Sequence, residues 1–190
     1  MKRQRLFGRI LIAFLLIFLA GCASDDVYFE PNMDFGSLQS VAVVPFENLT
    51  SGNEAAERVR DTFMGMLLAT EAVYVVPPGE VARGIGRIGR IPPEGLSTEQ
   101  IKQLGSILEV EAVITGVLRE YGIVRSGTAA ANVISLSLQM IEVTDGLVVW
   151  SASSTKGGIT VWDRLFGGGG EPMSAVTEKA INDLLDKLFE

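Results

Sequence analysis

The chain has 190 residues, with 16 Lys+Arg, 23 Asp+Glu and a formal net charge of −7. The acidic excess repels nucleic acid and anionic lipid headgroups, which removes both as partners. The chain has no histidine and a single cysteine, Cys22, so histidine-based acid–base catalysis and His-ligated zinc are excluded.

The chain opens with a basic stretch, Lys2, Arg3, Arg5 and Arg9, followed by an unbroken apolar run from Ile10 to Ala20. An eleven-residue helix at ~1.5 Å per residue covers roughly 16 Å, about half of a bilayer core ~30 Å thick. The run is too short to span and reads as the apolar region of a cleaved export signal, residues 1–21. It ends Leu19-Ala20-Gly21-Cys22, which resembles the bacterial lipobox. That resemblance implies cleavage before Cys22 and acylation of both its thiol and its new amine. Each buried CH₂ contributes about 0.8 kcal/mol and two chains anchor stably, so Cys22 is the expected lipidation site. Ala23, not aspartate, follows the anchor. In Gram-negative lipoproteins this implies sorting to the outer membrane, facing the periplasm.

Cleavage leaves 12 Lys+Arg against 23 Asp+Glu, a formal −11 on 169 residues, enough for one domain with a proper core. With Cys22 acylated no thiol nucleophile remains, and no paired Asp/Glu constellation points to carboxylate catalysis. The chain therefore reads as a non-enzyme with no cofactor, no metal site and no small-molecule substrate.

Residues 22–40 read as a lipidated tether and 41–190 as a single domain. Val41 to Phe46 is a short apolar run closed by Pro45, a buried strand. Ser51-Gly52-Asn53-Glu54 fits a capping box and predicts a helix with Ala56, Val59, Phe63, Met66 and Leu67 on its apolar face. A second strand, Val73 to Val76, stops at Pro77-Pro78, and a helical segment is expected from Glu80 to Ile88. Ser97-Thr98-Glu99-Gln100 is a second capping box, opening a helix with Ile101, Leu104 and Leu108 on one face.

Three strands follow: Ala112 to Val124, Val133 to Val143 and Leu147 to Ser154. In the middle one Ile134, Leu136, Leu138 and Met140 alternate with Ser135, Ser137 and Gln139, the pattern of an antiparallel strand with one wetter face. Thr144-Asp145-Gly146 predicts a tight hairpin turn. A glycine-rich loop precedes a final helix from about Pro172 to Phe189. The order is β-α-β-α-α-β-β-β-α, an α/β fold with a mixed five-stranded sheet and helices packed on it.

Two glycine-rich stretches carry weak signals. Gly84-Ile85-Gly86-Arg87-Ile88-Gly89 spells G-x-G-x-x-G, but a phosphate cradle of that kind follows a strand directly and opens a helix, and here Pro77-Pro78-Gly79 intervenes. Trp162, Leu165 and Phe166 precede Gly167–Gly170. On a flexible loop these side chains would form a partner-binding patch; folded back over the sheet they would be core.

Val41 to Phe46, Leu104-Gly105 leading to Glu111–Gly116, and Ser135 through Trp150 resemble a superfamily of bacterial envelope lipoproteins. It includes the curli-secretion channel lipoproteins (CsgG-type), the lipoprotein activators of penicillin-binding proteins (LpoB-type) and the TolB amino-terminal domain. The resemblance implies a mixed α/β domain that acts through protein contacts, as a docking module in envelope assembly or export. Its alternatives are an activator of a peptidoglycan synthase and an accessory part of a curli-like channel. A channel needs about 9–11 residues per lipid-facing crossing; Gly122 to Asn132 cannot supply two, and Glu47 to Asn53 is too short for a constriction loop. A tether from Cys22 to Val41 reaches about 65 Å fully stretched and nearer 25 Å on average, which keeps the domain near the membrane and lowers the activator reading. The hairpin strands offer an edge for self-association.

Overall fold

A computed structural model of the protein describes residues 27–89, 91–92, 95–127, 129–159 and 170–189. Among these, seven strands form one mixed sheet with four helices packed on it. In chain order they are β1 (Val27–Phe29), β2 (Ser40–Val43), β3 (Glu47–Asn48), α1 (Ala55–Ala69), β4 (Tyr74–Val75), α2 (Pro78–Ile88), α3 (Thr98–Leu108), β5 (Ala112–Ser126), β6 (Ala129–Glu142), β7 (Val148–Gly157) and α4 (Met173–Phe189).

The strands lie in the order β1-β7-β6-β5-β2-β4, with β3 pairing β5 beyond the end of β2. β4 and β5 flank β2 in parallel, and α1 makes the crossover that a parallel β2–β4 pair requires. β5, β6 and β7 form an antiparallel meander. β1 closes the far edge antiparallel to β7, with Val27 opposite Ala152 and Phe29 opposite Trp150.

Alternation along β6 sets the layers. Ile134, Leu136, Leu138 and Met140 are buried against a core that also holds Phe63 and Leu67 of α1, Trp150 of β7 and Ile181 and Leu184 of α4. Each such side chain stabilises the fold by about 1.5–3 kcal/mol relative to exposure. A second cluster on the opposite face joins Ala42, Val44 and Val113 to Val81 of α2 and Ile101 and Leu104 of α3. Each face of the sheet thus packs against its own pair of helices.

The mixed α/β architecture and the succession of long elements agree with the sequence reading. The sheet has seven strands, not five. The additional pair, β1 and β3, are three and two residues long, too short for any periodicity to show. β1 lies in the stretch read as tether, and among the described strands it pairs with β7 alone. β5 and β6 also run further than expected, to Ser126 paired with Ala129. The small residues around Ala129–Ala131 lack a strand pattern, yet a hairpin ladder needs only their backbone.

Of the two capping boxes, one forms. Ser97 Oγ accepts the Gln100 N–H at 3.2 Å and Gln100 Oε1 accepts the Ser97 N–H at 3.0 Å. Ser51 instead stays outside α1, whose N-cap is Glu54 without a side-chain hydrogen bond. Asn48 organises that loop: its Oδ1 accepts the Thr50 N–H at 3.0 Å and its Nδ2 donates to the Gly52 carbonyl at 2.7 Å. Such local bonds compete with a helix start.

The G-x-G-x-x-G string ends a helix and does not open one. Gly84 lies inside α2, where a Cβ would meet Leu104 Cδ1 of α3 at 2.9 Å, and Gly89 is the C-cap at φ +97°. Close helix packing and a left-handed cap account for these two glycines.

Candidate interaction surface

Cys22, Trp162, Leu165 and Phe166, the residues singled out from the sequence, lie outside the described residues. Among the described residues no group of His, Cys, Asp or Glu side chains could hold a metal ion, and no helix is long and apolar enough to cross a membrane.

The densest charge cluster joins β7 to α4. Lys156 Nζ donates to Asp183 Oδ1 at 2.5 Å and Lys187 Nζ lies 3.1 Å from Asp183 Oδ2. Partial burial pushes the Asp183 carboxyl up, but hydrogen bonds from the two lysines outweigh it and hold the group below its ordinary value. Lys187 Nζ also donates to the Ser153 carbonyl at 2.9 Å, and Trp150 Nε1 donates to the Lys187 carbonyl at 3.2 Å. Every member is tied to helix-on-strand packing. The cluster is a strut.

The sheet presents a hydroxyl-lined patch where α2 and α3 do not reach. Ser135, Ser137 and Gln139 of β6 stand opposite Thr155, Ser153 and Ser151 of β7 and therefore share one face. Thr155 Oγ1 donates to Ser135 Oγ at 3.0 Å, Ser137 and Ser153 hydroxyls meet at 2.8 Å, and Arg119 Nε donates to Ser137 Oγ at 3.3 Å. This is the wetter face that the β6 alternation predicted.

Two grooves flank the sheet. One, of about 560 Å³, lies between the first strand and the end of α4, walled by Phe29, Phe35, Leu38, Val73, Leu188 and Phe189. The Phe29 and Phe35 rings pack edge-on with centroids 5.4 Å apart. The other, of about 510 Å³, runs between α1 and the edge strand β4. Arg60, Met64, Gly65 and Leu68 form its helical wall and Val75 to Pro78 its other wall. Both volumes fall in the range of ligand-sized clefts. Sequence reasoning found neither, because a groove is made by elements far apart in the chain; the one local hint is Gly65, a glycine inside a helical pattern.

The sheet has open edges as well. β3 pairs β5 only as far as Leu118, so the outer edge of β5 from Arg119 onward carries no strand partner among the described residues. Ile123 stands 62% exposed there. These features offer hydrogen bonding and apolar contact to macromolecules.

No protein-family model and no curated protein matches the chain. Solved structures share its fold. A PelC dodecamer from Paraburkholderia phytofirmans matches in two crystal forms. One is 23% identical, with TM-score 0.58 over 85% of this chain and 97% of that one. The other is 20% identical, with TM-score 0.57 over 85% and 95%. The lipoprotein GNA1162 from Neisseria meningitidis is 16% identical, with TM-score 0.54 over 78% of this chain and 99% of that one. The LpoB carboxy-terminal domain from Salmonella enterica, 14% identical, reaches TM-score 0.47 over 62% and 81%, a likeness too loose to carry an argument. The chain thus has the fold of PelC and GNA1162, at identities that speak of fold alone.

Proposed function

We propose that this chain is a non-enzymatic envelope lipoprotein, anchored through Cys22 at the periplasmic face of the outer membrane, whose α/β domain docks other proteins of an assembly or export complex. The observation that carries the reading is the coincidence of a lipobox, Leu19-Ala20-Gly21-Cys22, with the fold of GNA1162, itself a lipoprotein. Uncovered strand edges and two grooves supply surface for contacts; they fit protein docking better than small-molecule turnover. Cells fed radiolabelled palmitate should yield labelled protein in the outer-membrane fraction, and Cys22→Ser should lose both label and location. Crosslinking of the labelled chain should return a defined protein complex. Unlabelled chain in the soluble periplasm overturns the reading.

Self-association belongs to the same proposal, supported by the dodecameric state of PelC. Activation of a peptidoglycan synthase is the weaker alternative. β1 begins at Val27, so five steps separate Cys22 from the first strand of the sheet. At ~3.3–3.6 Å per residue that is about 17 Å, far short of a stalk that passes through the cell wall.

A further inference from the structure

The groove beside β4 combines three features that nothing else in the fold explains. The first is a strand edge with no partner among the described residues. The Tyr74 N–H donates to the Gln39 carbonyl at 2.8 Å and the Val76 N–H to the Val41 carbonyl at 3.0 Å. Backbone groups alternate along a strand, so the N–H and carbonyl of Val75 face away from β2 toward the groove. Tyr74, 59% exposed, flanks that edge. Such an edge is a template for another strand.

The second is an unused donor. The Arg60 side chain is 13% exposed and its only ion-pair partner among the described residues is the neighbouring Asp61, at 3.3 Å through a terminal nitrogen. Its Nε is buried and has no acceptor among the described residues. Buried donors are nearly always paired in folded proteins, because leaving one unmade is costly. This one lines the groove.

The third is Gly65. A glycine inside a helix destabilises it relative to alanine, and a Cβ added here would meet nothing within 4 Å. No neighbour requires the missing side chain. Its effect is to widen the groove between Met64 and Leu68, the latter 57% exposed.

We propose that the β4 edge and the α1 groove bind an extended segment of a partner protein in which apolar side chains alternate with Lys or Arg. The segment adds to the sheet by pairing with Val75, the recognition mode of strand addition. One of its carbonyls accepts the Arg60 Nε–H, and its apolar side chains fill the space over Gly65 beside Met64 and Leu68. Its basic residues face Glu57 and Asp61 on the rim. Charge selects against the corresponding stretch of a second copy: Cys22 to Gln39 carries Asp25, Asp26, Glu30 and Asp34 and no basic residue. Net acidity likewise favours a basic partner.

The inference names the partner chemistry of the docking reading above and rests on it, but its test does not depend on lipidation. Two fluorescent nine-residue peptides, one alternating Lys and Val and one alternating Glu and Val, are titrated into the full chain in nanodiscs of neutral lipid. The Lys-Val peptide is expected to bind at least tenfold more tightly and to slow hydrogen exchange at the Val75 amide. Gly65→Trp, which fills open space, is expected to weaken binding at least tenfold without lowering the melting temperature. Arg60→Lys keeps the charge, removes the Nε–H and is expected to weaken binding in the same direction. Equal affinities for the two peptides, or binding unchanged in both variants, overturns the proposal. So does an oligomer that Gly65→Trp dissolves in the absence of peptide, because the occupant is then a second copy. A chain that is palmitate-labelled and crosslinked into a complex yet ignores both peptides refutes the groove and leaves the docking reading standing.

Discussion

Gly105 of α3 and Val143, just after β6, are in such close approach that a Cβ on Gly105 would lie 2.3 Å from Val143 Cγ2 and 2.4 Å from its Cγ1. The pair seats α3 on the sheet, and both members belong to one constraint. Gly105→Ala should therefore destabilise by about 1–3 kcal/mol, the usual cost of overpacking. Adding Val143→Ala should recover part of that loss, since contacting residues do not act additively. Urea unfolding of both single variants and the double variant measures the coupling; simple additivity would remove the pair from its role.

The two serines that begin capping-box sequences should behave differently. Ser97→Ala removes the hydroxyl that accepts the Gln100 N–H and should cost about 1 kcal/mol. Ser51→Ala touches no cap and should stay within about 0.5 kcal/mol of the parent. Equal losses in thermal melts would put the start of α1 at Ser51 after all.

Glycines of the G-x-G-x-x-G string offer a similar contrast. Gly84→Ala pushes a methyl to 2.9 Å from Leu104 Cδ1 and should destabilise by about 1–3 kcal/mol. Gly86 faces open space, so Gly86→Ala should stabilise by about 0.5–1 kcal/mol through helix propensity alone. A phosphate cradle would reverse the logic, with both variants losing nucleotide binding; no such binding is expected of the parent, by equilibrium dialysis with ATP.

Asp183 gives the strut a pH dependence. Its carboxyl is held below the ordinary 3.8, so the unfolded chain takes up the proton first as pH falls. The stabilisation is complete above that ordinary value and is lost as pH drops through the folded-state value. Asp183→Asn should cost about 1 kcal/mol at pH 7, a modest figure because the partly exposed Lys156 is screened by solvent. Denaturation midpoints followed from pH 7 downward should show parent and variant converging below pH 3.8; a gap that widens in acid would contradict the assignment.

How much of this was written in the chain follows from where each signal resides. The β6 alternation of Ile134, Leu136, Leu138 and Met140 against Ser135, Ser137 and Gln139 foretold which face is core, because burial acts on each residue in turn. The Ser97 cap was readable because donor and acceptor stand three residues apart. β1 was not readable: Val27, Tyr28 and Phe29 become a strand only when Trp150 to Ala152 are there to pair with them. The β4 groove was hidden for the same reason, since Arg60 and Val75 meet through a crossover and not through any local pattern.

The remote pairing of β1 also has a consequence for the order of events. Ribosomes deliver the amino end first, yet among the described residues Val27–Phe29 has no sheet neighbour except β7, the last of the described strands to emerge. The β5–β6–β7 meander can close early through short connections, whereas β1 must wait for nearly the whole polypeptide and closes the longest loop in the sheet. Until that final stitch Val27–Phe29 stays unpaired, and completion of the meander is what gives it a partner.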